Sequence, residues 1–234
     1  MTIPITPRQI SRFRNVSISW LTVSLSALLI LLFGAYLVSP SLRARYLFHE
    51  LETLQLGHST FEDAQRLARK LGAKPRSLNP CDRKYCYWTA VVNNARLPQW
   101  WRGSGVTFVI DFLVENSVVV NKGAWYAIGI DPYTFTPSMV SVGEQVRWLR
   151  TRPSRDGREI VEPPTDRGWA DGSYEKNGHR EFVSTRFQVY LTPRSSAEDR
   201  RRYTDFNYSC FWKYKGCKDA RELLPTADPF PVDK

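Results

Sequence analysis

The chain is 234 residues long, 42% hydrophobic and 13% aromatic, with 33 basic against 23 acidic side chains and a net charge of +10. That apolar content can build a packed core, which excludes disorder of the whole, and the length suits one domain with an appendage. The positive excess is scattered among acids, as in the short runs Arg150/Arg152 and Arg200-Arg201-Arg202, so no nucleic-acid partner is expected.

Arg8, Arg12 and Arg14 precede the first long apolar run with no acid among them, and residues 1–15 read as a basic, disordered tail. From Ile18 to Val38 the chain reads ISWLTVSLSALLILLFGAYLV. At about 1.5 Å per residue such a helix is about 30 Å long, the thickness of a bilayer's hydrocarbon core. Trp20 and Tyr36 stand near its ends, where amphipathic rings prefer the headgroup level. Residues 16–39 therefore read as a transmembrane helix, with the lipid bilayer as its partner. Gly34 is its only glycine, so no G-x-x-x-G pairing face is present. The three leading arginines outweigh Arg43 and Arg45 behind the run, which favours a cytoplasmic N-terminus. The run exceeds the about 7–15 residues of a cleavable signal's apolar core, and no A-x-A-like site follows it. It reads as an uncleaved signal anchor. The expected arrangement is a single-pass membrane protein with residues 40–225 exported to a periplasmic or other extracytoplasmic space and a polar tail over 226–234.

The cysteines agree with export. Cys81, Cys86, Cys210 and Cys217 form two local pairs, and an even number in an exported domain reads as a disulfide framework with three possible connectivities. The rival is a four-thiolate zinc site. Zinc knuckles want about two to four residues between ligands, and the second pair is spaced too widely. No metal or other cofactor is expected.

After the anchor, Pro40-Ser41 offers a break and an N-cap. Leu42, Tyr46, Leu47, Leu51 and Leu54 then share one helical stripe. Ser59-Thr60-Phe61-Glu62 reads as a capping box with Ser59 at the N-cap, opening a helix whose stripe is Phe61, Ala64, Leu67, Ala68 and Leu71 and whose end is Gly72. Together these predict a helical hairpin. The stretch from Leu56-Gly57-His58-Ser59-Thr60-Phe61-Glu62-Asp63-Ala64 to Leu71-Gly72 resembles the L-G-x-T-x-x-(D/E) helix starts of small envelope-assembly lipoprotein domains, although no lipidated cysteine follows the apolar run.

From Lys84 the period changes to two. Strands are expected from Tyr85 to Val92, from Val106 to Val114, over Ser117–Asn121 after a turn at Glu115-Asn116, and over Ala124–Ile130 after a second turn at Lys122-Gly123. Met139 to Leu149 reads as a further strand or a strand passing into a helical turn. Residues 150–180, rich in Gly, Pro, Arg and Asp, read as a long exposed loop. A strand returns from Phe182 to Leu191, and Ser195/Ser196 with Glu198/Asp199 cap a short helix through Tyr203. The predicted fold class is α+β: an N-terminal transmembrane helix, a helical hairpin, then an antiparallel sheet of about five or six strands.

Chemistry is sparse. His49, His58 and His179 are not spaced as a metal pair, and no G-x-S-x-G, P-loop or G-x-G-x-x-G is present. Gly103-Ser104-Gly105 precedes a strand and reads as turn chemistry. Asp111, alternating with Phe108, Ile110 and Phe112, is expected on a solvent face and is the one catalytic candidate, should it pair with another carboxylate. The more suggestive feature is Trp100-Trp101-Arg102 in a loop. Adjacent tryptophans point in different directions, so one ring is available to stack on a glycan, a peptide proline or a lipid headgroup, the other reading being a cap on the sheet's end. The expectation is a non-enzymatic binding module of the cell envelope whose partner is a protein or a glycan. The alternative is a hydrolase or transferase acting on envelope polymers through carboxylates.

Overall fold

A computed structural model describes residues 7–76, 81–103, 105–129, 138–145, 151–153, 159–161, 166–176, 179–192 and 195–227, with backbone only for 7–22 and 145–185. The start of the basic tail, the Trp20 and His179 side chains, Ser104 and all but the first two residues of the C-terminal tail lie outside what is described. The chain divides into two units, Met1–Ser39 and Pro40–Lys234.

Helix α1 runs from Pro7 to Glu52, so residues 7–15, expected to be disordered, are helical. Proline suits a first helical position because its missing N–H would have no partner there. Between Leu28 and Phe33 every large apolar side chain is more than half exposed to solvent. This helix is long and apolar enough to cross a membrane.

Pro40 does not break α1, contrary to expectation. A proline at that point cannot donate to the Tyr36 carbonyl four residues back. The Ser39 hydroxyl donates to that carbonyl instead, at 2.9 Å, and the orphaned acceptor is satisfied. The juxtamembrane helix predicted as a separate element is thus the end of α1.

Helix α2, Phe61–Leu71, starts one residue later than the capping box predicted. Thr60 is the N-cap and Asp63 its reciprocal partner, while Ser59 Oγ accepts from Gln55 N and so is occupied. Lys70 of α2 pairs with Glu50 at 2.7 Å, and Arg43 donates to the Leu71 carbonyl at 3.4 Å.

The sheet contains β1 (Lys74–Pro75), β2 (Tyr85–Asn93), β3 (Val106–Glu115), β4 (Val118–Ile128), β5 (Ser138–Gln145), β8 (Asp166–Lys176) and β9 (His179–Leu191), in the order β1-β2-β3-β4-β5-β9-β8. Two short strands, β6 (Thr151–Pro153) and β7 (Glu159–Val161), pair with each other apart from it. Three expectations are corrected here. The sheet is mixed, because β9 lies parallel to β5. The stretch 150–180, expected to be loop, is largely strand: the chain reverses after β5, lays β8 at the far edge and returns as β9 in the space left between them. Lys122-Gly123 is not a turn, since β4 runs straight through it. A Cβ at Gly123 would meet an Asp111 carboxylate oxygen at 3.1 Å, so that glycine makes room for a neighbour on β3. The turn expected at Glu115-Asn116 falls one residue later, at Asn116-Ser117, both residues having positive φ as a two-residue hairpin loop requires.

Period-two alternation sends one face of each strand inward. Phe112, Lys122, Glu144 and Leu191 form one cross-strand row of the inner face; Ile110, Ala124, Val142 and Val189 form the next. Leu47, Leu51 and Leu54 from α1 and Ala64, Leu67 and Leu71 from α2 are buried in the same core. Beside them an aromatic cluster joins Phe48 to Phe206 at 5.3 Å, Phe108 to Tyr126 at 5.6 Å and Tyr126 to Phe211 at 5.5 Å. Helix α4 (Ala197–Thr204) and the one-turn α5 (Ala220–Leu223) complete this layer through Tyr203 and Leu223.

Candidate binding site

The segment joining β2 to β3 carries α3, Gln99–Arg102, a single turn held by the Pro98 carbonyl, which accepts from Trp101 N and Arg102 N. This turn packs against the segment closed by Cys210 and Cys217, whose Cα atoms are 5.1 Å apart. The two are locked by named contacts. Lys215 N donates to Trp101 O at 2.6 Å, and Trp101 Nε1 donates to Trp212 O at 3.0 Å. Buried Asn94 donates to Phe211 O and accepts from Val106 N. At Gly103, φ is +61° and an added Cβ would sit 2.8 Å from Lys215 O, so only glycine lets the backbones approach this closely.

The outcome is an aromatic platform. Trp100 is 69% exposed, Tyr214 55% and Trp212 43%. Trp101 stands between them, half-buried, its ring 5.8 Å from Trp100 at 77° and 5.6 Å from Tyr214 at 76°. The tryptophan pair therefore divides as adjacency predicts, one ring out and one holding the turn to its neighbour. Arg102 does not join the exposed surface. Its Nε is buried without a hydrogen-bond partner, and its guanidinium lies over Gly105. Trp212 and Tyr214 were missed from sequence because they lie more than a hundred residues away along the chain. The signal was their alternation with Lys213 and Lys215 inside a cysteine-closed loop.

Asp111 is half-buried, not solvated. Its outward-facing row runs Thr89, Asp111, Gly123, Gly143, Tyr190 across five strands. Burial pushes its carboxyl above the ordinary carboxylate value, against opposing pulls from the Tyr87 hydroxyl, which donates to it, and from the Arg76 charge. The groups acting on Asp111 are thus a phenol and a guanidinium, with no second carboxylate among them. No set of three or more His, Cys, Asp and Glu that could hold a metal forms among the described residues.

The cysteines are paired locally, Cys81 with Cys86 and Cys210 with Cys217. On the inner face, Glu144 accepts from Arg200 at 2.7 Å and sits 3.4 Å from Lys122, whose ammonium also donates to Leu54 O. Burial pushes the Glu144 carboxyl up, but the two cations together outweigh it and hold the group below its usual range. No family model, curated protein or solved structure matches this chain.

Proposed function

We propose that the chain is a signal-anchored, single-pass membrane protein with a cytoplasmic N-terminus, whose extracytoplasmic domain binds an envelope glycan without transforming it. The apolar helix supports the anchor, and two local cysteine pairs support an oxidising compartment. The observation that carries the binding reading is the platform: Trp100, Trp212 and Tyr214 are exposed on two segments that lock each other in place. Rings fixed before binding lose little entropy on contact. Trp212 and Tyr214 alternate with Lys213, which pairs with Glu222, and with Lys215, whose ammonium lies 5.6 Å from the Tyr214 ring centroid, so a sugar would find a flat surface for its C–H face with an ammonium beside it. The hydrolase alternative rests on Asp111 finding a partner acid, and its surroundings among the described residues supply none.

The test is co-sedimentation of the full-length protein, in detergent micelles, with insoluble peptidoglycan sacculi. Trp100→Ala and Trp212→Ala are each expected to weaken retention about tenfold or more, the size of a central aromatic contact. Retention unchanged in both variants, or absent in the wild type, would sink the reading.

A further inference from the structure

Two hollows open side by side on the helix-covered face of the sheet. The first, about 300 Å³, lies between Phe48 and Leu51 of α1, the Ala124/Val142 pair of the sheet and Leu191, with Lys122, Glu144 and Arg200 on its wall. The second, about 340 Å³, shares Phe48, Glu52 and Thr204 with the first and adds Arg45, His49 and Asp205. Three shared residues make them one groove, and each volume reaches the about 300–1,000 Å³ typical of ligand sites. The floor is open at Ala124, whose neighbours along β4 on this face are the longer Lys122 and Tyr126.

The groove's charges are sorted by position. In the first hollow two cations, Lys122 and Arg200, flank Glu144, and Glu52 stands where the two hollows meet. In the second hollow Asp205 and the shared Glu52 stand against Arg45, so the carboxylates gather on this side. Donors remain for a ligand at the two cations. Arg200 spends Nη2 on Glu144 and Thr192 O and Nε on Ser195 O, and Nη1 has no partner among the described residues. Lys122 spends its described contacts on Leu54 O and Glu144, with a third N–H in hand. Beside these cations the first hollow is walled by Phe48, Leu51, Val142 and Leu191, which are apolar.

We propose that this groove binds a phospholipid bearing a primary ammonium: its phosphate against Lys122 and Arg200, its ammonium toward Glu52 and Asp205, and the start of one acyl chain along Phe48, Leu51 and Val142. A fatty acid would leave Glu52 and Asp205 unanswered, and a free amino acid would leave the apolar walls wet. A zwitterionic amphiphile answers all three regions. The inference rests on the membrane reading, because an anchored chain has phospholipid always within reach. It is independent of the aromatic platform.

The test uses the full chain in phosphatidylcholine nanodiscs doped with a phosphatidylethanolamine carrying a diazirine near the start of one acyl chain. After photolysis, crosslinks are mapped by mass spectrometry. Labelling is expected on residues 43–52 and 138–145 as well as on the anchor, and more with this lipid than with a phosphatidylcholine analogue carrying the same diazirine. Ala124→Leu, which fills the floor, is expected to cut groove labelling about fivefold or more while anchor labelling stays constant. Glu52→Gln, at an exposed position, is expected to erase the preference between the two lipids. Labelling confined to the anchor, equal labelling by both lipids in the wild type, or groove labelling that survives Ala124→Leu would overturn the proposal. Absence of label on the anchor itself would instead overturn the membrane reading beneath it.

Discussion

Two corners of the domain are closed by the same covalent device and do different things with it. Cys81–Cys86 closes a polar bend, Asp82-Arg83-Lys84, in which Asp82 Oδ1 accepts from Lys84 N and Tyr85 N. The backbone of that bend is also tied to the β3–β4 turn, through Asn116 N to Lys84 O and Ser117 N to Arg83 O. Cys210–Cys217 closes a loop carrying Phe211 inward and Trp212 and Tyr214 outward. The cysteine separations are 5 and 7 residues, so chain entropy assigns both crosslinks about 2 kcal/mol of stabilisation. By that measure they are equal. What distinguishes them is cargo, since only the second holds exposed rings in a fixed position.

The sharpest way to break that comparison is to remove each crosslink in turn. Replacing Cys210 and Cys217 by serine is expected to cost about 2 kcal/mol in denaturant unfolding and to abolish retention on sacculi, because the loop bearing Trp212 and Tyr214 is freed. Replacing Cys81 and Cys86 by serine is expected to cost a similar amount while retention stays at the wild-type level in the folded protein. Equal losses of binding in the two variants would show that the platform does not depend on its own staple.

A smaller effect is expected at the contact between the segments. Gly103→Ala forces a Cβ onto Lys215 O in a left-handed backbone, at a cost of about 1–3 kcal/mol, and should weaken retention through displacement of Trp101. Unaltered stability in that variant would mean that the turn and loop are not in contact.

The smallest effect is expected away from both corners. The Asp111 carboxyl is held above its ordinary value in the folded state, so the folded protein binds its proton more readily than the unfolded chain does. Stability from this group is therefore full below the unfolded pKa and falls as pH rises through the folded one. Asp111→Asn should be neutral or slightly stabilising at pH 7 and lose that advantage in acid, with retention on sacculi unchanged. A loss of binding in this variant would return Asp111 to the list of site residues.

The legible parts of this chain were those with local causes. Strands β2 and β3 announced themselves by alternation, α2 by its apolar stripe and Gly72, and Trp100 by being next to another tryptophan. Errors arose where a distant neighbour decided the outcome. Gly123 looked like a turn residue, and only the Asp111 carboxylate on the next strand explains a glycine mid-strand. Pro40 looked like a break, and a single hydroxyl one residue earlier supplies the missing bond. The β8–β9 pair was hidden by the polar composition of 150–180, although Asn177-Gly178, the favoured hairpin dipeptide, stands between its strands. The second half of the platform could not be placed, because nothing in the sequence brings Trp101 and Trp212 together.

The central claim is that the domain lies outside the cytoplasm with its cysteines oxidised. A membrane-impermeant maleimide applied to intact cells, with and without prior reduction, tests it directly. The account predicts that all four cysteines label on intact cells and only after reduction. Labelling that requires lysis and needs no reductant would place the domain in the cytosol with free thiols, and the anchor's orientation and the glycan partner would both fall.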